Sequence, residues 1–496
     1  MGSPDKERSA LAEAIARAGA DLAALAATQT DDALQMLEFQ LALLEDEALS
    51  GPAFAAIESG APAAHAWRDA LDAQISEYSS AEDEYFRARS ADLADLRDRV
   101  SRALVGADSS APPPEGAILV AEDLPPSRFL EIDRTSLGGV ALTVGSATSH
   151  VAMLARARGV PMVVGLGDIP GNDGALALLD AELGEIEILP SAARLEEWRA
   201  HAAALAERRT EEARHLALPA LTRSGQRIRA MVNIQGLSDL TPEADHADGV
   251  GLVRTEFLFE ANGVPPDEET QFQAYRKILE WAGERPVAIR TLDAGGDKPI
   301  PGVTFDGEAN PFLGVRGLRL SLRRPGLFRT QLRALVRAGS GGNLKVMLPM
   351  VTTADELRAA RAHLEAVLAE LASEGLAASR PAFGIMVEVP AAALAIDRFD
   401  ADFYSIGSND LVQYVTACDR GNGELAALAD PLNPAVLELI ARTVAHGKKT
   451  GAPVSLCGDM AADPRCVPAL LDRGLEEFSV APPALGRLKN AIAVHG

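Results

Sequence analysis

The fold is decided by three runs: RIRAMVNI (227–234), GVGLVRTE (249–256) and PVAIRTLDA (286–294). Each is short and apolar and closes on charged or hydroxyl side chains, and a helical pattern over 269–283 separates the second from the third. Five more strand candidates follow: GVRGLRLS (314–321), LKVMLPMV (344–351), FGIMVEVP (383–390), FYSIGSND (403–410) and PVSLCGDM (453–460). Helical stretches at 326–338, 354–374 and 433–450 lie among them. Eight strands alternating with helices over about 270 residues predict a (β/α)8 TIM barrel. Reactive groups of such a barrel sit at the C-terminal ends of its strands. That rule gathers Arg254-Thr255-Glu256, Arg290 with Asp293, Glu388, Asn409-Asp410, and Cys457 with Asp459 at one mouth, with Cys457 ending the eighth strand.

Toward the N terminus, 192–217 reads as one polar helix. Before it, AILVAE (117–122), GGVALTVG (138–145) and PMVVGLG (161–167) read as strands, and SHVAMLARAR (149–158) as a helix. SSAPPPEG (109–116) is a linker. Residues 6–104 are rich in Ala, Leu, Glu and Arg, with Leu34, Leu37, Leu41 and Leu44 at helical spacing. Gly51-Pro52 and Gly60 to Pro62 are expected to cut this run into an antiparallel bundle. The expected plan is therefore multidomain, α and α/β. It has a helical bundle (1–110), a β/α domain (111–190), a helical linker (191–219) and the barrel (220–496).

The 496 residues are 47% hydrophobic and 24% charged, which excludes wholesale disorder. With 71 acidic against 47 basic residues the chain carries a formal charge of -24, which argues against nucleic acid and anionic membrane as partners. The excess is uneven: residues 1–110 hold 21 acidic and 9 basic side chains. Cys418, Cys457 and Cys466 fit no zinc spacing and predict a reducing compartment. The opening MGSPDKERSA has no apolar signal-peptide core, and no run is long enough to span a bilayer, so a cytoplasmic location is expected.

At the mouth, Arg254, Arg290 and Arg316 end or follow strands, and Arg420 lies just past SIGSNDL. Converging guanidiniums recognise phosphate and carboxylate. Glu388 and Asp410 suit one hard cation, and Mg²⁺ fits two carboxylates plus substrate oxygens. Singly, each has an ordinary reading as a surface ion pair or helix cap; together they point to a small phosphorylated acid. Cys457 reads either as an inert buried thiol or as a general acid facing the substrate; Cys418 and Cys466 read as structural. His150 follows a strand, a Gly-Ser turn, Thr148 and Ser149, and opens a helix. A helix N-terminus favours an anion, including phosphate on an imidazole, though a lone histidine there more often caps or packs. The remaining histidines have no such setting.

These blocks resemble, in order, those of Enzyme I of the bacterial phosphoenolpyruvate-dependent sugar phosphotransferase system. GVGLVRTEFLF, IRTLDAGGDK, NPFLGVRGLRL, MVEVPAA, FYSIGSNDLVQYVTACDRGN and SLCGDMA match its barrel. TSH…AR…GVPMVVG matches its phosphohistidine block, and LALLEDEAL and SSAEDEYFRARSADLADLRDRV match its helical region. The likeness runs from about residue 30 to the C terminus.

The resemblance implies a phosphoenolpyruvate–protein phosphotransferase. Mg²⁺ would be held by Glu388 and Asp410, the phosphate by Arg254 and Arg290 with Lys298 and Arg316, and the carboxylate by Asn409 and Arg420. His150 would take the phosphoryl group and pass it to the carrier HPr on the helical subdomain, Cys457 would protonate the enolate to pyruvate, and the barrel would form a homodimer.

Three departures stand out. The family's N-terminal strand with its Ser-Pro-Gly segment is matched only by Ser3-Pro4, so the expectation is either a true start further upstream or a phosphohistidine sheet that lacks an edge strand. Gly145-Ser146-Ala147-Thr148-Ser149-His150 lacks a basic residue common in the family, and Gly458-Asp459-Met460 stands where Gly-Glu-Leu is usual. Two alternatives compete. A dikinase would need a large ATP-binding domain where the helical bundle sits. A phosphoenolpyruvate-sensing regulator would have an impaired relay, against which the intact His150, Cys457 and carboxylate pair speak.

Overall fold

The structure is a computed structural model. It describes residues 3–496 except 30, 80–83, 107–112, 135, 147–148, 170, 172, 261–264, 297–298, 306, 420–424 and 426–427. The chain divides into two compact units, Met1–His201 and Ala202–Gly496.

The first unit opens with helices α1 (Pro4–Ala26), α2 (Asp31–Glu45), α3 (Glu47–Glu58), α4 (Ala63–Ser79) and α5 (Glu84–Val105). Their apolar residues recur at helical spacing and bury one stripe, as Leu11, Ala14, Ala18 and Leu22 do in α1. The stripe packs in one core with Leu37, Ile57, Trp67, Leu71 and Leu96. The expected break at Gly51-Pro52 does not occur, because α3 runs through Pro52. Proline leaves the Ala48 carbonyl without its helical donor, and the Gln74 side-chain amide lies 3.5 Å from that oxygen. α3 is instead capped by Asp46, whose carboxylate accepts from the Ala48 N–H at 2.8 Å, and stops before Gly60, which sits at φ 98°.

The β/α part of this unit has strands β1 (Ala117–Ala121), β2 (Leu137–Leu142) and β3 (Met162–Val163), parallel in that order. Helix α6 (Pro126–Glu131) joins the first two, and α7 (His150–Ala157) joins the last two. An antiparallel hairpin, β4 (Ala177–Asp180) and β5 (Glu185–Ile188), lies beyond the sequence reading. Its signal was the EIEI alternation, and Asp180 folds its turn by accepting from the Glu182 and Leu183 N–H groups. Val140, Leu142, Val151 and Ala155 join the core of the helical bundle, so bundle and parallel sheet share one apolar interior. Helix α8 (Ala192–Leu216) follows and buries no residue, as its polar sequence predicts.

In the second unit, β6 (Arg229–Ile234), β7 (Val250–Val253), β8 (Val287–Arg290), β9 (Leu344–Leu348), β10 (Ala382–Val387), β11 (Tyr404–Ile406), β12 (Val454–Leu456) and β13 (Glu477–Val480) close a parallel barrel in chain order. One expected strand is wrong. GVRGLRLS is a loop through Arg316 followed by a short helix, Leu318–Arg323. Its alternating leucines imitate a strand, but Gly317 at φ 58° turns the chain into the helix, against a Met350 side chain so close that a Cβ would meet it at 2.8 Å. The missing member is β13, whose four residues lie close behind the helix Cys466–Asp472. Cys457 therefore follows the seventh strand, not the eighth. Among the described residues, no helix is long and apolar enough to cross a membrane.

Candidate active site

The C-terminal ends of the barrel strands converge on one cleft lined by Arg254, Arg290, Arg316, Glu388, Asn409, Asp410 and Cys457, with Glu256 and Asp293 beside them. Lys298 and Arg420, also expected here, lie outside the described residues.

The three arginines differ in their commitments. Arg254 is half-buried, and among the described residues its guanidinium has no hydrogen-bond or ion-pair partner. Arg290 is buried and pairs with Glu256 and Asp293, both at 3.1 Å. Arg316 grips Asp293 through Nε at 3.2 Å and Nη2 at 2.8 Å, and reaches Asp410 through Nη1 at 3.1 Å. Burial opposes both charges, yet the surrounding carboxylates outweigh it. Glu256 and Asp293 hold Arg290 above the ordinary arginine pKa, and Asp293 and Asp410 do so for Arg316.

Behind the arginines stands a hydrogen-bonded buttress. The Asp293 N–H donates to Glu256 at 2.8 Å. Gln331, from the helix Pro325–Ala338, donates to the Thr255 and Tyr275 hydroxyls and accepts from the Leu292 N–H. Asp293 and Glu256 were legible as strand-end residues, but their role in holding two arginines depends on the Arg316 loop, which the sequence reading took for a strand.

Glu388 is 1% exposed. Its Oε1 accepts from the Met350 N–H at 2.6 Å, and Met350 pays for that orientation with a left-handed φ of 57°. A Cβ at Gly407 would lie 2.8 Å from Glu388 Oε2, so only glycine leaves that oxygen room. Burial, then the Asp410 and Asp293 charges, push the Glu388 carboxyl up to about 8. Crowded carboxylate oxygens, one kept open by a glycine, fit a hard divalent cation, whose charge would relieve their repulsion.

Cys457 is buried at the cleft floor. Ser405 donates to its sulfur at 3.3 Å, and the thiol lies 3.7 Å from the Ile406 carbonyl. Burial pushes its pKa above the usual thiol value, with the Ser405 hydrogen bond pulling back, so the sulfur keeps its proton at neutral pH. The contact with Ser405 joins strands remote in sequence and left no signal in either motif. Cys418 and Cys466 are free and buried. Asn409 exchanges hydrogen bonds with Asp459, Nδ2 to Oδ2 at 2.9 Å and the Asp459 N–H to Oδ1 at 2.8 Å.

In the other unit, His150 is the first residue of α7. Ser149 caps this helix by accepting from the Ala152 N–H at 3.3 Å. Thr148 lies outside the described residues, and the description of His150 covers its backbone.

Comparison with known proteins divides the chain into three matched segments. Residues 209–495 match the PEP-binding domain of PEP-utilising enzymes, 113–184 their mobile domain, and 1–89 their N-terminal domain. The phosphoenolpyruvate-protein phosphotransferase of Haloferax volcanii is 42% identical over 461 residues, covering 91% of this chain and 80% of that protein. The protein of the same name from Priestia megaterium is 37% identical, covering 93% of this chain and 82% of its own length. That of Bacillus subtilis is 36% identical, covering 92% and 81%. The chain belongs to the PEP-utilising enzyme family.

Proposed function

We infer that the chain is a phosphoenolpyruvate–protein phosphotransferase, which moves the phosphoryl group of phosphoenolpyruvate to His150 and from there to an HPr-like phosphocarrier, releasing pyruvate. The observation that carries this reading is the convergence of three arginines, four carboxylates and a buried thiol at one barrel mouth, in a chain that also sets a histidine at a capped helix N-terminus.

Arg254 and Arg290, with Arg316 and Lys298, bind the phosphate; Asn409 and Arg420 bind the carboxylate. Glu388 and Asp410 hold Mg²⁺, which when bound offsets charge on the phosphoryl oxygens. An imidazole nitrogen of His150 forms its bond to phosphorus in line as the bond from phosphorus to the enol oxygen breaks. Cys457 gives its proton to the methylene carbon of the departing enolate, yielding pyruvate, and the thiolate recovers a proton from water. Phosphoryl transfer asks the protein chiefly for position and charge, and the held arginines supply both. The acidic bundle, residues 1–110, docks the carrier by charge steering, residues 111–190 carry His150, and residues 220–496 bind substrate and pair two copies.

The test uses phosphoenolpyruvate and Mg²⁺ without ATP, followed by HPr. The relay reading expects the protein to gain an acid-labile phosphoryl group that HPr then removes. Phosphoenolpyruvate binding without label would instead make the protein a sensor.

A further inference from the structure

The cations at the mouth are not equivalent toward Asp410. Arg316 faces both oxygens of that carboxylate, Nη1 to Oδ1 at 3.1 Å and Nη2 to Oδ2 at 3.4 Å. Arg290 spends its contacts on Glu256 and Asp293. Among the described residues, Arg316 is the only cation paired with Asp410. The pair is nearly dry, with side chains 4% and 8% exposed. The Tyr414 hydroxyl, 3.4 Å from Nη1, completes the setting and is itself turned to the Phe312 carbonyl at 2.6 Å.

The backbone bearing Arg316 is fixed separately from its guanidinium. The Glu308 carboxylate accepts from the Val315 N–H at 2.9 and 3.1 Å. Gly295, at φ 112°, lets the loop come so close that a Cβ would meet the Arg316 Cβ at 2.8 Å. The guanidinium can therefore change partner by side-chain rotation while its loop stays in place.

We propose that Arg316 is a latch on the cation site, standing in for the metal at Asp410 until the substrate phosphate draws it away. The proposal rests on the reading of Asp410 as a metal ligand and Arg316 as a phosphate ligand. A metal that arrives alone must displace a buried, forked guanidinium, which breaks charge-assisted bonds without replacing them for Arg316. A phosphate offers the same fork an equivalent partner and frees both Asp410 oxygens. Metal and substrate then strengthen one another's binding, and Arg316 is the positioning residue that carries the coupling.

Mn²⁺ binding to the full chain, followed by its paramagnetic resonance signal, tests this. Phospholactate serves as substrate stand-in, since it lacks the enol and cannot yield pyruvate. Wild type is expected to bind Mn²⁺ weakly alone and about tenfold more tightly with phospholactate. Arg316→Met is expected to bind Mn²⁺ alone about tenfold more tightly than wild type, with little further gain from phospholactate. Arg316→Lys, which keeps the charge but not the fork, should fall between them and decides the matter if the methionine variant does not fold. Arg290→Met removes a nearby charge that does not touch Asp410 and should change the metal-only affinity much less. Equal gains in Arg316→Met and Arg290→Met would reduce the effect to net charge and overturn the latch. So would a wild-type affinity indifferent to phospholactate. Asp410→Asn separates the two levels. Mn²⁺ binding unchanged by it removes the metal assignment and the latch with it. Binding lost in Asp410→Asn but not strengthened in Arg316→Met or Arg316→Lys removes the latch alone.

Discussion

The barrel mouth and the His150 turn are built on opposite principles. At the mouth, Asp293 ties Arg290 to Arg316, Glu256 ties Arg290 to the Asp293 backbone, and Gln331 braces the strand behind them. At the turn, one serine hydroxyl caps an eight-residue helix that joins the second and third strands of a three-stranded sheet. A site that must hold a multiply charged substrate needs its cations gathered and braced before the substrate arrives, with only the Asp410 grip of Arg316 left to change. A group that must visit a substrate and then a carrier gains nothing from such bracing, and local capping suffices to orient it.

If that contrast is real, changes at the mouth should be costly and changes at the turn mild. The largest effect is expected for Cys457→Ala, which removes the general acid. Pyruvate release should slow about 10²–10⁴-fold, measured by coupled reduction of pyruvate. An unchanged rate would take the proton donor out of the cleft. Next comes Asp293→Ala, which strips the shared carboxylate from two buried guanidiniums. Urea unfolding of the barrel should lose about 3–5 kcal/mol, and a loss under 1 kcal/mol would erase the bracing half of the comparison.

The sequence made the barrel legible because its strands are short apolar runs ending in polar side chains, and seven of the expected eight pair as strands. It misjudged 314–321 because Leu318 and Leu320 alternate like a strand while a glycine-directed turn makes them helical. The same error hid the arrangement at the site, since Arg316 on a loop reaches both Asp293 and Asp410. Arg254, Arg290, Glu388, Asp410 and Cys457 were readable because each ends or directly follows a strand or lies in the first turn of the helix after it. Ser405 on Cys457 and Gln331 on Thr255 were not, because contacts between distant segments leave no periodicity. The passage of α3 through Pro52 was hidden likewise, since the compensating amide belongs to Gln74 on another helix.

On the His150 side the effects should be smaller. Ser149→Ala removes the cap of α7 and should cost about 1 kcal/mol in the unfolding of the first unit, read by hydrogen exchange in that helix, with the barrel unmoved. The smallest effect concerns the acidic bundle. Raising salt should slow phosphorylation of HPr more than phosphorylation of the protein itself, because exposed charges are screened while the buried mouth is not. Equal slowing would detach the charge excess of residues 1–110 from carrier docking.

The central claim is that His150 receives the phosphoryl group from phosphoenolpyruvate. Intact-mass measurement after mixing the protein with phosphoenolpyruvate and Mg²⁺, wild type beside His150→Ala, tests it most directly. The account expects a gain of one acid-labile phosphoryl group in wild type and none in the variant; a variant that still gains it would contradict the assignment.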